Sequence, residues 1–225
     1  MNIDPQATLS SIVLDHPACA AVLQARRIDF CCDGGRTVRD ACAARGLDVA
    51  PVLAALEAAA GSRDAARAED PRAMKTEELV AHIVSRHHAY LRSALPFLVP
   101  LASKVARVHG DHDARLRDVQ EVFFELREAL DAHLDEEEQV LFRQVTAAAP
   151  DQAVLDRELS GMVEEHREIG AALRRIRELT DDFAPPSWAC TSYRTLLAEL
   201  QALEQDVLWH VHIENQVLRP RFAAA

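Results

Sequence analysis

The chain has 225 residues, of which 49% are hydrophobic, 27% charged and only 5% aromatic. This balance is typical of a globular protein and excludes an intrinsically disordered chain. The scarcity of aromatic residues, together with only seven glycines, argues against a β-sandwich or barrel and favours helices. A formal net charge of −11 repels phosphate backbones, so we expect no nucleic-acid partner.

The sequence also argues against a membrane or secreted protein. It has no run of about 18 apolar residues, so we expect no transmembrane helix and no membrane partner. The first residues lack the basic segment and apolar run of a secretory signal. Five cysteines are an odd number, and the adjacent pair Cys31 and Cys32 does not suit a disulfide framework. We therefore expect a cytoplasmic location.

Residues 1–61 predict a small helical module that contains the adjacent cysteines. Turn and capping residues divide it into three short helices, which we expect after Pro17, between Thr37 and Gly46, and over 52–60. Residues 62–75 predict a linker, because they begin with a polar stretch that lacks large apolar side chains.

Residues 76–225 predict four long helices. Their expected ranges are 76–108, 113–148, 152–179 and 190–218, each about 40–50 Å long at a rise of 1.5 Å per residue. Short connections between them predict an all-α, up-down-up-down four-helix bundle. We expect Pro96 and Pro100 to kink or break the first helix, because proline lacks the N–H donor.

Each bundle helix has a stripe of apolar residues at three- and four-residue spacing, which polar residues interrupt. Every stripe contains one histidine, and two stripes add a glutamate four residues later. The interrupting residues are His88, His133, Glu137, His166, His210 and Glu214. Spacing of four residues places the histidine and the glutamate on one face of the helix. Buried charges are costly without a partner, and a metal cation removes that cost.

Six ligands from four helices are too many for a tetrahedral zinc and suit a two-metal site. Two octahedral metals offer about 12 positions, of which four histidines and two bridging carboxylates fill about eight. The remaining coordination positions can take an oxo or hydroxo bridge, water or a small ligand. The predicted metal site therefore has free positions for ligands from outside the protein.

Two alternatives remain at this point. His87 competes with His88 as the ligand of the first helix, although the alignment with Leu91 and Leu95 favours His88. The stripe histidines could also belong to a scaffold without metal, in which they only form hydrogen bonds. One histidine per helix and two His–Glu pairs favour the metal site.

The remaining histidines, glutamates and isolated cysteines show weaker evidence of a functional role. We expect solvent-facing positions for His109 and His112, which flank a turn, and for Glu138; Glu165 could approach the ligands. His212 lies two residues from His210 and should point to the opposite side of the helix. We expect Cys19, Cys42 and Cys190 to be small buried residues.

The segment Asp29-Phe30-Cys31-Cys32-Asp33-Gly34-Gly35 is different, because its thiols lie beside a turn and should be accessible. A disulfide between neighbouring residues strains the backbone, so the pair indicates a redox, metal-handling or cluster-handling role.

These features together resemble the RIC (repair of iron centres) family, the iron–sulfur cluster repair proteins of the YtfE/ScdA/DnrN type. The resemblance extends over nearly the whole chain. The N-terminal module resembles the cysteine-bearing domain of that family, and the remainder its hemerythrin-like di-iron domain. The most specific segments are 133–142 and 210–218; residues 104–109 and the Pro185-Pro186 pair also resemble family features.

The resemblance implies two iron ions, ligated by the four stripe histidines and bridged by Glu137 and Glu214. It implies that Cys31 and Cys32 are needed for full activity. The expected function is repair of iron–sulfur clusters damaged by oxidative or nitrosative stress, with damaged iron–sulfur proteins as partners. Reduction of nitric oxide is the alternative, with nitric oxide or oxygen as small ligands. An accessible thiol pair is also compatible with a homodimer.

The chain departs from the family pattern at four positions. Asp33 separates the cysteine pair from the glycines, which often follow it directly. Arg143 and Arg219 replace a usual proline and phenylalanine, and His87 replaces a common aromatic residue. None of these changes removes an expected ligand.

Overall fold

A computed structural model describes residues 2–61 and 70–222. Within these ranges the chain is all-α, and its one β feature is an isolated antiparallel bridge between Thr8 and Thr37. The expected linker falls largely on residues 62–69, which lie outside the described residues. No described helix is long and apolar enough to cross a membrane.

The chain divides into two compact units. The first comprises Met1–Lys75 and Trp209–Ala225, and the second comprises Thr76–Leu208. In the first unit the N-terminal helices are α1 (Leu9–Asp15), α2 (Cys19–Ala25), α3 (Val38–Ala44) and α4 (Val49–Ala60). The helices that follow are α5 (Thr76–Ile83), α6 (Ala89–His109), α7 (Arg115–Glu136), α8 (Phe142–Val145), α9 (Gln152–Leu179) and α10 (Thr191–Ile213).

Side-chain caps define the N-terminal helices. The hydroxyls of Thr8 and Thr37 accept hydrogen bonds from the first turns of α1 and α3, and Asp48 caps α4 in the same way. Gly46 ends α3 with a φ of +65°, which glycine adopts without steric cost. The capping signals at Thr37 and Gly46 were predicted from the sequence, whereas α1 was not.

Helix α6 continues through both of its prolines, so of the expected kink or break the break does not occur. Both prolines are exposed, and four residues apart they lie on one outer face of the helix. The carbonyls that lose their N–H partners can therefore bind water instead, and burial of the opposite face keeps the helix intact.

In the residues that the structure describes, three π-helical turns interrupt the regular α-helical pattern instead. They comprise Val84–His88, Glu137–Leu141 and Glu214–Leu218. In each, a backbone N–H bonds to the carbonyl five residues earlier, as from Phe142 to Glu137. A π turn inserts one residue into the helical repeat and is frequent at functional sites. Each of these turns begins or ends at a predicted metal ligand.

Candidate metal centre

Four of the predicted ligands lie together in the second unit, around the carboxylate of Glu137. Its Oε2 is 3.4 Å from Nε2 of His88 and 3.4 Å from Nε2 of His133. Nε2 of His166 lies 3.2 Å from Nε2 of His133. All four side chains are at most 2% exposed. Three helical segments thus bring their polar atoms to one buried point.

The chemistry of this cluster fits a metal ion. Ligand atoms that share one metal at about 2 Å and at right angles are about 3 Å apart. The observed separations are close to this value, and two of them exceed a good N–H···O hydrogen bond. Imidazole nitrogens and a carboxylate are the donors that iron, manganese and zinc accept in proteins.

Carboxylates outside the cluster orient two of the histidines. Nδ1 of His133 lies 2.7 Å from Oε2 of Glu165, and Nδ1 of His88 lies 2.9 Å from Oε1 of Glu138. Each carboxylate favours the tautomer with a proton on Nδ1, which leaves the lone pair of Nε2 directed at Glu137. The hydrogen bond from His133 also holds the pKa of Glu165 below its ordinary value.

The expectation of a solvent-facing Glu138 is therefore wrong. Its side chain is one-third exposed, but it accepts from His88 and from Arg92. A regular helix would turn residue 138 about 100° from residue 137, whereas the π turn that begins at Glu137 changes this register. Glu165 contacts a predicted ligand, as the sequence allowed.

His87 and His88 are both buried but have different neighbours. His88 lies beside Glu137, whereas Nδ1 of His87 lies 2.9 Å from Oδ1 of Asp206. The π turn that ends at His88 allows two adjacent side chains to point inward. The structure thus places His88, and not His87, in the cluster.

The other two predicted ligands, His210 and Glu214, are one turn apart near the end of the last long helix. Nε2 of His210 lies 2.8 Å from Oε1 of Glu214, and both side chains are fully buried. Helix α10 contains His210, and the third π turn starts at Glu214. The pair therefore repeats the spacing and the local backbone of His133 and Glu137.

The cysteine pair forms a separate cluster in the first unit. Sγ of Cys31 lies 3.1 Å from Oδ1 of Asp29 and 3.7 Å from Sγ of Cys32, and neither cysteine is part of a disulfide. Contact with Cys32, burial and the nearby Asp29 together raise the pKa of the Cys31 thiol. Cys31 is only 2% exposed and Cys32 is half-buried, so the expectation of two accessible thiols is wrong for Cys31.

Side chains from the end of the chain hold the cysteine segment. Asn215 and Gln216 donate to the carbonyl oxygen of Cys31 at 3.2 and 3.0 Å. Nδ1 of His212 donates to the carbonyl of Phe30 at 3.2 Å, and burial lowers the pKa of His212 to about 4, so its ring is neutral. None of these three was proposed as functional from the sequence, because their contacts join residues far apart in the chain. The only signal was that His212 points away from the ligand face.

Comparison with known proteins agrees with this architecture. The family model described as the hemerythrin HHE cation-binding domain matches residues 79–222, and the ScdA_N model, a domain of unknown function, matches residues 5–60. An iron–sulfur cluster repair protein YtfE from Edwardsiella ictaluri is 35% identical, covering 95% of each chain. The protein of the same name from Escherichia coli O157:H7 is 33% identical, covering 96% of each chain. The chain therefore belongs to the hemerythrin-like family of iron–sulfur cluster repair proteins, as its sequence motifs predicted.

Proposed function

We propose that the protein holds two iron ions and acts in the repair of iron–sulfur clusters damaged by oxidative or nitrosative stress. The main support is the carboxylate of Glu137, which is buried between the Nε2 atoms of His88 and His133. The relatives are iron–sulfur cluster repair proteins by name. Their name favours iron over manganese, which the same donors would also accept.

The second His–Glu pair supports a centre with two metals. Glu137 and Glu214 each follow a histidine by four residues, begin a π turn and are at most 2% exposed. Because the local structure repeats, we infer that the two carboxylates would have equivalent roles in holding the ions. The proposed ligands are His88, His133, Glu137, His166, His210 and Glu214.

Neighbouring side chains orient the proposed ligands for metal binding. Glu165 and Glu138 keep protons on the Nδ1 atoms, so the inward nitrogens are available as ligands. Burial of the ligands excludes bulk water. When bound, iron would supply one-electron redox chemistry and an ion that can be passed to a damaged cluster.

We assign Cys31 and Cys32 a redox or metal-handling role in the same process. Asp29, Cys31 and Cys32 place one carboxylate and two thiol ligand atoms within 4.8 Å of one another. Cys32 is the more exposed thiol and would meet a damaged iron–sulfur protein first. Thiols that are not joined in a disulfide suit the reducing cytoplasm. A homodimer through this pair would have twice the mass of the chain in solution.

Iron content tests the proposal directly. Protein reconstituted anaerobically with ferrous iron should bind two irons per chain, and its Mössbauer and absorption spectra should show a bridged pair. Glu137→Ala and Glu214→Ala should lose iron and restore a damaged iron–sulfur enzyme more slowly than wild type. The matched control is Glu136→Ala, since Glu136 is exposed beside Glu137. Less than one iron per chain in the wild type would favour a scaffold without metal, and full repair by both variants would reject the proposed role.

Reduction of nitric oxide is a second candidate function. A pocket of about 480 Å³ lies between α7 and α9 and has His133 and Glu165 in its wall. It is large enough for a diatomic molecule and reaches a proposed ligand. Reduced, iron-loaded protein should then consume nitric oxide in steady state under anaerobic conditions. A single stoichiometric uptake without turnover would reject the enzymatic function and leave cluster repair unaffected.

A further inference from the structure

A cysteine–histidine pair lies in the second unit, remote from the proposed metal centre. Sγ of Cys190 is 3.1 Å from Nε2 of His109. His109 ends α6, roughly 30 Å from His88 at the helical rise of 1.5 Å per residue. Cys190 is exposed, so the expectation of a buried cysteine is wrong, and His109 is half-buried rather than fully solvated. The pair therefore places an accessible thiol in contact with an imidazole that can act as its base.

Aromatic side chains fix the orientation of the imidazole. The ring centroid of His109 is 5.7 Å from that of Trp188 and 5.9 Å from that of Tyr193, whose ring is buried. Arg194 holds the preceding loop by donating to the carbonyl of Ala189 at 3.0 Å. The imidazole is thus positioned toward the thiol by packing on two rings.

Cys190 also lies at the N-terminal end of a helix. Cys190 directly precedes α10, and its carbonyl accepts the N–H of Arg194 at 3.0 Å, so it occupies the N-cap of a 23-residue helix. The N-terminus of a helix favours a negative charge, and thiolates are stabilised there. The ammonium group of Lys104 binds Ser192 at 3.1 Å and brings a cation to this turn. These groups attract an anionic reagent, although the chain as a whole is acidic.

We propose that Cys190 is a modification site that forms a mixed disulfide with a low-molecular-weight, carboxylate-bearing disulfide. In this exchange the Cys190 thiol gives its proton to Nε2 of His109, and the thiolate attacks one sulfur of the reagent. A new sulfur–sulfur bond forms as that of the reagent breaks. Cys190 is oxidised, one half of the reagent is reduced, and the released thiolate takes the proton from His109. No iron takes part in this step.

Exchange with oxidised glutathione tests the proposal on the full-length, iron-loaded protein at neutral pH. Intact mass and peptide mapping should show one glutathionyl group on Cys190, which dithiothreitol removes. Cys190→Ser should abolish this adduct, and His109→Gln should slow its formation about tenfold or more because the base is lost. His112→Gln is the matched control and should react like wild type, since it removes an exposed imidazole three residues further on that has no described contact with the thiol.

Equal rates for wild type and His109→Gln would overturn the proposal, as would modification of Cys32 with Cys190 left free. A second measurement uses only the wild-type protein, so its result does not depend on whether a variant folds. The wild-type protein at pH 6.5 should form the Cys190 adduct about tenfold faster than a peptide of residues 188–194, in which no histidine lies beside the thiol. Equal rates in this comparison would also overturn it. Iron content should stay unchanged throughout, which separates this outcome from a failure of the proposed metal centre.

Discussion

At the scale of single residues, Glu165 orients His133, which is a proposed metal ligand. Its carboxylate accepts the Nδ1 proton at 2.7 Å, which fixes the tautomer and makes Nε2 a better donor. We expect Glu165→Gln to lower the affinity for ferrous iron about 10- to 100-fold, because the amide carries no charge. Competition with a chromogenic chelator measures this affinity.

Glu168 provides the control for that substitution. It lines the same pocket as Glu165 and is exposed. Glu168→Gln changes the charge of the pocket equally but leaves His133 untouched. If both variants lost affinity to the same extent, the effect would come from the charge of the pocket and not from orientation of His133.

The cysteine segment needs a glycine at residue 34, because no space is left there for a side chain. A Cβ atom at residue 34 would lie 2.7 Å from Nε2 of Gln216 and 2.7 Å from the carbonyl oxygen of Phe30. The backbone oxygen cannot move without displacing the segment, so Gly34→Ala should lower the free energy of unfolding by about 1–3 kcal/mol. Urea unfolding monitored by circular dichroism measures this change.

The neighbouring Gly35 is the control, since a Cβ atom there has no described atom within 4 Å. Gly35→Ala should therefore be near neutral. A variant at Gly34 as stable as the one at Gly35 would contradict the close approach of Gln216. Both glycines form one turn signal in the sequence, and only the contact of Gly34 with a residue far along the chain distinguishes them.

At the scale of helices, the prolines of α6 show how burial overrides local preference. Pro96 and Pro100 each remove an intrahelical hydrogen bond, yet the helix persists because its other face is apolar and buried. Pro96→Ala should restore the bond from residue 96 to the carbonyl of Arg92 and stabilise the protein by about 1–3 kcal/mol. Ser93→Ala, at another exposed position of the same helix, should change stability much less. A Pro96→Ala protein no more stable than the Ser93→Ala protein would indicate that α6 is already distorted at residue 96.

The π turns mark the limit of prediction at this scale. Stripe spacing identified six candidate ligands because they occur where a regular helix turns inward. A regular repeat, however, places only one of His87 and His88, or of Glu137 and Glu138, on the inner side. The structure has both members of each pair in buried or partly buried contacts, because an extra residue in the turn shifts the register. No composition signal for such a turn was apparent in the sequence.

At the scale of the whole molecule, composition and periodicity predicted the all-α class and the long helices. They could not predict that Trp209–Ala225 would group with the N-terminal residues. That grouping includes hydrogen bonds from Asn215 and Gln216 to Cys31, which join segments separated by about four-fifths of the chain. Local patterns contain no information on such pairings. The same contacts connect the cysteine segment to the helical end that contains Glu214.

His212 links this arrangement to the pH dependence of folding. Burial lowers its pKa from 6.5 to about 4, so the unfolded chain binds a proton more readily than the folded one between these values. Stability of the metal-free protein should therefore fall as the pH drops from about 6.5 toward 4, by on the order of 3 kcal/mol at the lower end. His212→Gln can still donate to the carbonyl of Phe30 but does not titrate. Urea unfolding at pH 7, 6 and 5 should show a smaller loss of stability in this variant than in wild type, and parallel losses in the two proteins would contradict a neutral, buried His212.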